Sequence, residues 1–429
     1  MEKNTASYEF KSFFRGQLLS YLVGFYIFAF YLELHFRFPA LQSIRFQFTY
    51  GALVGAICLY KFLTDRNKPA NFNPVTKTAF LLIFILGLYT VLSMNREHSI
   101  IIYNDRVLKF ALVSFFIYAA TDKIEDLRVI LAFMLLAWLK IGQEGFWGWY
   151  GGGLVWQNQG IPRLHGSTAM YGHPNSFSGF AVGCLPYAIF LLMCVKGNLL
   201  KIALLALIAC SIIIIVTTGS RTGYVAVVIG AIYFFLKLNT GKLKIILLST
   251  IAFALTINFV PIEYKERFQS IFTGEEKEGR SSDKRKEIIS DALQIYAKYP
   301  LGIGVEAFPK VRKQMFGRYQ NTHNLYLEVL TNIGPIGFLV FLIFIARIIK
   351  GCIKNIKFIE KNLESNLDTR LLINLSKATI GFILMRLLLG LFGMDLYEIY
   401  WWIALGITLA ITKLLSQQKF INQNQLIKL

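Results

Sequence analysis

The feature that most limits this chain is the recurrence of apolar stretches as long as a bilayer crossing. The hydrocarbon core of a membrane needs roughly 20 apolar residues per helical span. Runs near that length fall at 17–34, 46–63, 78–94, 104–120, 127–141, 176–195, 199–217, 221–238, 243–261, 325–349, 371–392 and 397–415. Each run is continuous rather than alternating, so its backbone polar groups must be satisfied within a helix, which excludes a closed β-barrel. With 55% hydrophobic and only 16% charged residues among 429, the chain is too apolar for a water-soluble globule. The expectation is an all-α polytopic membrane protein of about 12 transmembrane helices. It divides into helices over 1–261, a long outer loop over 262–324, and further helices with a cytoplasmic tail over 325–429. The first run follows a short charged leader without a small-residue cleavage pattern and reads as a retained span.

A formal charge of +20 would suit nucleic acid on a soluble protein, whereas in a membrane protein Lys and Arg mark the cytoplasmic connections. With the N-terminus inside, about 23 basic residues fall on cytoplasmic segments and about seven on the short outer loops. Both termini are therefore placed in the cytoplasm, and no nucleic-acid partner is expected. The five cysteines, Cys58, Cys184, Cys194, Cys210 and Cys352, are scattered and form neither a disulfide framework nor a metal motif.

Two outer connections are long. Residues 142–175 read as a Gly- and Trp-rich loop with aromatics suited to the bilayer interface. Residues 262–324 contain an amphipathic helix at 282–298, with Ile288, Ile289, Leu293 and Tyr296 at helical spacing, and a break at "YPLGIG". No internal repeat is visible.

Polar residues collect at one boundary. All five histidines, His35, His98, His165, His173 and His323, fall on the outer side, as does the turn "TTGSRTG" at 217–223. Arg221 in that turn reads as a snorkelling anchor or as a ligand group, the latter favoured by an outer location that opposes the positive-inside tendency and by Gly219 and Gly223, which permit close backbone approach. His323 reads as a helix-start residue or as a base that titrates near neutral pH, held on a rigid span behind Asn324. Arg280 and Arg285, with Arg267, Arg312 and Arg318, are ordinary surface charges or phosphate-binding guanidiniums. Arg386 and Lys377 are intramembrane charges and functional suspects, although Lys377 can snorkel. Glu33 and His35 have the wrong spacing for one helix face, and His165 and His173 lack a metal motif around them, so no metal is expected. Asp395 and Glu398, at the outer end between the last two spans, read as structural, or as groups orienting a cation or an acceptor sugar.

Four segments together carry a family resemblance: "GHPNSFSGF" (172–180), "TTGSRTGYVAVVIG" (217–230), "SSDKRKEIISDALQIYAKYPLGIG" (281–304) and "THNLYLEVLTNIGPIGF" (322–338). In this order the chain resembles the O-antigen ligase and O-antigen polymerase superfamily of bacterial envelope glycosyltransferases. The resemblance implies transfer of a glycan from an undecaprenyl-diphosphate-linked donor to a glycan or lipid-core acceptor hydroxyl. It places that chemistry on the outer face of the inner (plasma) membrane, with no cofactor. By the same resemblance His323 would be the base, and Arg221 and Arg285 would hold the diphosphate, with Arg280 as rival for the second arginine. His173, Asn175, Asn324 and Arg386 would bind substrate, membrane lipid would surround the donor, and direct displacement would invert the anomeric centre. Polymerase, ligase and protein O-glycosyltransferase share this chemistry, and base rates favour the polymerase. A flippase or transporter of lipid-linked oligosaccharide and a sensor or scaffold are the alternatives from other classes.

Overall fold

A computed structural model describes residues 17–65, 73–237, 261–273 and 281–426. Fourteen main helices follow one another there: α1 Leu18–Tyr31, α2 Phe46–Thr64, α3 Pro74–Val91, α4 Lys109–Ala120, α5 Ile124–Tyr150, α6 Pro174–Leu192, α7 Asn198–Thr217, α8 Arg221–Lys237, α9 Ile262–Thr273, α10 Ser281–Lys298, α11 Phe308–Phe316, α12 Leu325–Asn362, α13 Leu367–Leu389 and α14 Tyr400–Leu426. Shorter turns lie between α1 and α2, and α4 is preceded by Arg96–Ile102 and a π-helical stretch, Tyr103–Leu108. Apart from Pro261, the span expected at 243–261 lies outside the described residues, as does Arg280.

Among the described residues six helices, α2, α3, α6, α7, α12 and α13, are long and apolar enough to cross a membrane. The shorter α1 and the Arg221–Leu236 stretch are also apolar. The surface agrees with a lipid solvent. In α2 only Val54 and Cys58 are buried, while Leu53, Leu59 and Leu63 are more than half exposed. An apolar face of that extent is a liability in water and the normal state in hydrocarbon. The interior is one continuous apolar core, in which α1 packs along α5, α3 along α12, α4 along α14, and α6 between α7 and α13. Trp401, Tyr187 and Phe341 are fully buried within it.

The all-α expectation needs one correction. Residues 142–175 are not a plain loop: α5 runs on to Tyr150 and is ended by Gly151, Gly152 and Gly153, with Gly152 at φ +71°. An antiparallel hairpin follows, β1 Val155–Asn158 paired with β2 Ile161–Leu164. Its two-residue turn, Gln159 and Gly160, has φ of +56° and +75°, the mirror-image turn that matches strand twist. Gly145 explains why α5 extends so far, because a Cβ there would stand 2.7 Å from the Phe177 ring.

The segment 262–324 contains α9, α10 and α11, with a small core of its own. The buried stripe of α10 is Ile288, Ala292 and Ile295, whereas Ile289 and Leu293, expected on that face, are 40% and 51% exposed. The i, i+4, i+7 set won because Ile303, Phe308 and Val311 pack against it. Arg312, 1% exposed, seals this unit by pairing with Asp291 at 2.8 Å and Glu287 at 3.5 Å.

Candidate active site

The turn between α7 and α8 is built around carbonyls that a helix end leaves without partners. Thr218 follows the last turn of α7, and Gly219 turns the chain at φ +57°. Two arginines from other parts of the chain satisfy these groups. Arg163 on β2 donates Nε–H to the Thr218 carbonyl at 2.7 Å, and Arg267 on α9 donates Nε–H to the Gly219 carbonyl at 3.4 Å. Arg221 then opens α8. A guanidinium against a helix C-terminus is favourable for both the hydrogen bond and the dipole.

Arg163 is 1% exposed, with four of its five N–H groups engaged. Its Nη1–H groups donate to Asn158 Oδ1 at 3.0 Å and Gln159 Oε1 at 3.3 Å, and Nη2–H donates to Asn175 Oδ1 at 2.6 Å. Arg267 also donates to Gln159. One buried cation therefore clamps the hairpin, the start of α6 and the end of α7. At the start of α6, His173 caps the helix by accepting the Asn175 N–H on Nδ1 at 3.1 Å, with Pro174 at the first helical position. That acceptor role leaves the ring proton on Nε2. Trp156 of β1 stands over both histidines of this region, its ring centre 4.9 Å from that of His165 and 6.3 Å from that of His173.

His323 is held from the other side. It has φ +47°, a left-handed conformation that costs a non-glycine residue energy and persists where surrounding structure enforces it. The enforcing contacts are next to it. Asn324 Oδ1 accepts from the Tyr326 and Leu327 N–H groups, each at 3.0 Å, its Nδ2–H donates to the Leu391 carbonyl at 3.1 Å, and the Leu325 N–H donates to the Gly390 carbonyl at 2.7 Å. Gln320 Nε2 lies 3.1 Å from His323 Nε2, which in this amide orientation makes Nε2 an acceptor and puts the ring proton on Nδ1. Arg285 on α10 stacks on Phe392 at 5.2 Å, just beyond the same Gly390 junction.

The helix that carries His323 is itself bent and braced. Gly334 has φ +64° inside α12, followed by Pro335. The strap between α10 and α11 crosses the kink, and there Ile303 N–H donates to the Thr331 carbonyl at 3.0 Å and Gly304 N–H to the Asn332 carbonyl at 2.8 Å. Proline has no N–H for the carbonyl four residues back, so the strap supplies the missing donor.

Electrostatics tie these pieces into one cluster. Burial lowers the His323 pKa below the usual histidine value, and the charges of Arg285 and then Arg312 lower it further. Desolvation by surrounding protein pushes His173, open at its edge, down to about 4, with Arg163 and His323 adding to the effect. Arg163 is brought down to about 10 by burial, then by Arg267 and, more weakly, Arg221. Charge thus couples Arg285 with His323, His323 and Arg163 with His173, and Arg221 weakly with Arg163, across α10, the α12 entrance, α6, the hairpin and α8. Such a site keeps its histidines neutral at pH 7 and presents fixed positive charge, the combination that accepts a proton beside a bound polyanion.

Asn175 and Asn324 are positioned in this region, but their side-chain oxygens serve Arg163 and the α12 backbone. Arg386 is 3% exposed in α13, its guanidinium 3.3 Å from the Tyr400 ring centre and 3.8 Å from Asp395, and it packs against α6, where a Cβ on Gly183 would meet Nη2 at 3.0 Å. Sequence reasoning passed over Arg163 entirely and treated Arg267 as background. An arginine at 163 in an outer loop carried the same signal as Arg221, a positive charge against the positive-inside tendency. Among the described residues no three His, Cys, Asp or Glu side chains group as metal ligands.

The family model for O-antigen ligase matches residues 203–342, which include Arg221, Arg267, Arg285, Arg312 and His323. The chain carries an O-antigen ligase domain. No curated protein matches the sequence. The match spans 140 of 429 residues, so His173, Asn175 and Arg163 lie before the O-antigen ligase domain and Arg386 after it. Together with the apolar helices, the match supports a membrane protein of the O-antigen ligase and polymerase type, a family that implies a lipid-linked glycan and an acceptor as substrates.

Proposed function

We propose that this protein transfers a glycan from undecaprenyl diphosphate to an acceptor hydroxyl at the outer face of the inner membrane, with both termini in the cytoplasm. The observation that carries the reading is the conformation and setting of His323. It is a left-handed residue kept neutral by burial and by the charges of Arg285 and Arg312.

In the proposed reaction the acceptor hydroxyl displaces the Gln320 amide from His323 Nε2, which takes the hydroxyl proton as its oxygen attacks the anomeric carbon. The bond from that carbon to the diphosphate oxygen breaks, and the electron pair leaves with undecaprenyl diphosphate. Arg285 and Arg221 stabilise the charge that develops on the leaving group. A bound diphosphate also offsets the repulsion that lowers the His323 pKa, so the donor improves the base it is about to need. A single displacement inverts the configuration and requires neither metal nor nucleotide. Arg280 is the alternative to Arg285.

The test is the full-length protein in detergent with a synthetic undecaprenyl-diphosphate oligosaccharide, with and without chelator, products being read by size. A chelator-insensitive ladder supports the polymerase, the version favoured by base rates, and a single transfer to core lipid supports the ligase. No transfer with any hydroxyl acceptor, or loss of transfer in chelator, defeats the proposal.

A further inference from the structure

At the end of α12 remote from His323 the helices part. A cavity of about 980 Å³ opens between α2, α3, α4, α12 and α14. Its walls are mainly apolar, with Phe80, Leu112, Phe115 and Leu409 among them. Its α12 side is different in kind: Arg347, Lys350 and Lys354 line it at i, i+3 and i+7, which places all three on one helix face, and all three are exposed. Lys413 on α14 adds a fourth cation, paired with Asp122 at 2.8 Å, and Asp65 stands on the rim. No carboxylate pairs with Arg347, Lys350 or Lys354 among the described residues.

Depth decides what could enter. Arg347 is 22 residues beyond Leu325 on a helix bent once at Gly334, or at most about 33 Å, comparable with the thickness of a hydrocarbon core. The cationic stripe therefore meets the lipid headgroups of the leaflet opposite His323, while the apolar walls lie at the depth of acyl chains. The volume is at the upper end of what small-ligand sites provide. Basic pockets between helices at this level suit anionic headgroups.

We infer that this cavity binds one anionic glycerophospholipid of the leaflet opposite His323, its phosphate on Arg347, Lys350 and Lys354 and an acyl chain between α3 and α4. The site is separate from the glycan chemistry and does not rest on it.

The full-length protein in neutral detergent is titrated with phosphatidylglycerol or phosphatidylcholine. Bound lipid is counted by native mass spectrometry and thermal stability is followed in parallel. The expected result is saturable binding of one phosphatidylglycerol, at least tenfold tighter than phosphatidylcholine, with a raised unfolding temperature. Arg347→Gln/Lys350→Gln/Lys354→Gln removes at least tenfold of that preference, whereas Lys357→Gln/Lys361→Gln, farther along α12, retains it. If the triple variant does not fold, each single change weakens phosphatidylglycerol two- to fivefold. Equal affinity for the two lipids, an unchanged preference in the cavity variants, or no lipid bound because another part of the chain fills the space overturns the inference.

Discussion

The Ile303 N–H donates to the Thr331 carbonyl at 3.0 Å, in the place where a straight helix would have used the N–H of residue 335. Residue 335 is proline, so the strap and the kink complete each other. Gly334 is central, because its φ of +64° and a Cβ position 2.5 Å from the Leu301 carbonyl oxygen leave no room for a side chain. Gly334→Ala should destabilise the protein by about 2 kcal/mol or more. It should also lower activity, because the strap joins α10, which carries Arg285, to the helix behind His323. Thermal aggregation in detergent, compared with glycan transfer in the surviving fraction, measures both.

Replacing His323 by Ala or Gln should lower transfer by about 10² to 10⁴, the usual contribution of a general base, while expression and monodispersity stay near wild type. Product formation from the synthetic donor, at matched protein concentration, tests it. Full activity in His323→Gln would remove the base from the mechanism.

Arg285→Ala should act twice. Loss of one charge-stabilising donor should cost about 10² to 10³ in rate. Loss of its repulsion should also raise the His323 pKa, so the acid limb of the rate profile moves to higher pH. The sign is fixed: the base must be neutral, its pKa lies below the ordinary histidine value in the native protein, and removing a nearby cation lets it rise. Rate against pH for Arg285→Ala and Arg285→Lys separates the effects, since lysine keeps the charge and loses the planar fork.

Arg163→Ala should destabilise by about 1–3 kcal/mol, because it strands the buried Thr218 carbonyl and removes a partner from the half-buried Asn158 and Asn175 side chains. Arg163→Lys should recover part of the stability. The measurement is the unfolding temperature of both variants beside wild type.

His173 should make stability pH-dependent. Its pKa of about 4 lies below the ordinary 6.5, so the unfolded chain binds more protons between those values. Its contribution is fully present above about pH 6.5 and is lost as pH falls through about 4. His173→Gln should flatten the decline of the unfolding temperature over that window, which a pH series reads directly.

Much of this was legible in the sequence because the signals were local. Apolar runs found helices, and Asn324 before Leu325 marked a helix start that the structure places there. The stripe on α10 was misread because Ile288, Ile289, Leu293 and Tyr296 are apolar alike, and only the distant Ile303, Phe308 and Val311 select the buried face. Arg163 was missed for the same reason. Nothing near it reports that it will meet Thr218 and Asn175, since those partners are chosen by tertiary packing. The hairpin was hidden by its glycines, which read as a loop although Gly160 is what allows the strands to turn.

The clamp around Arg163 has a consequence for biosynthesis. Its bonds draw on residues 158, 159, 175 and 218, all of which precede His323 by more than a hundred residues. A nascent chain inserted helix by helix thus builds the clamp before the proposed base has been made. Chains truncated before His323 should therefore be inert in glycan transfer.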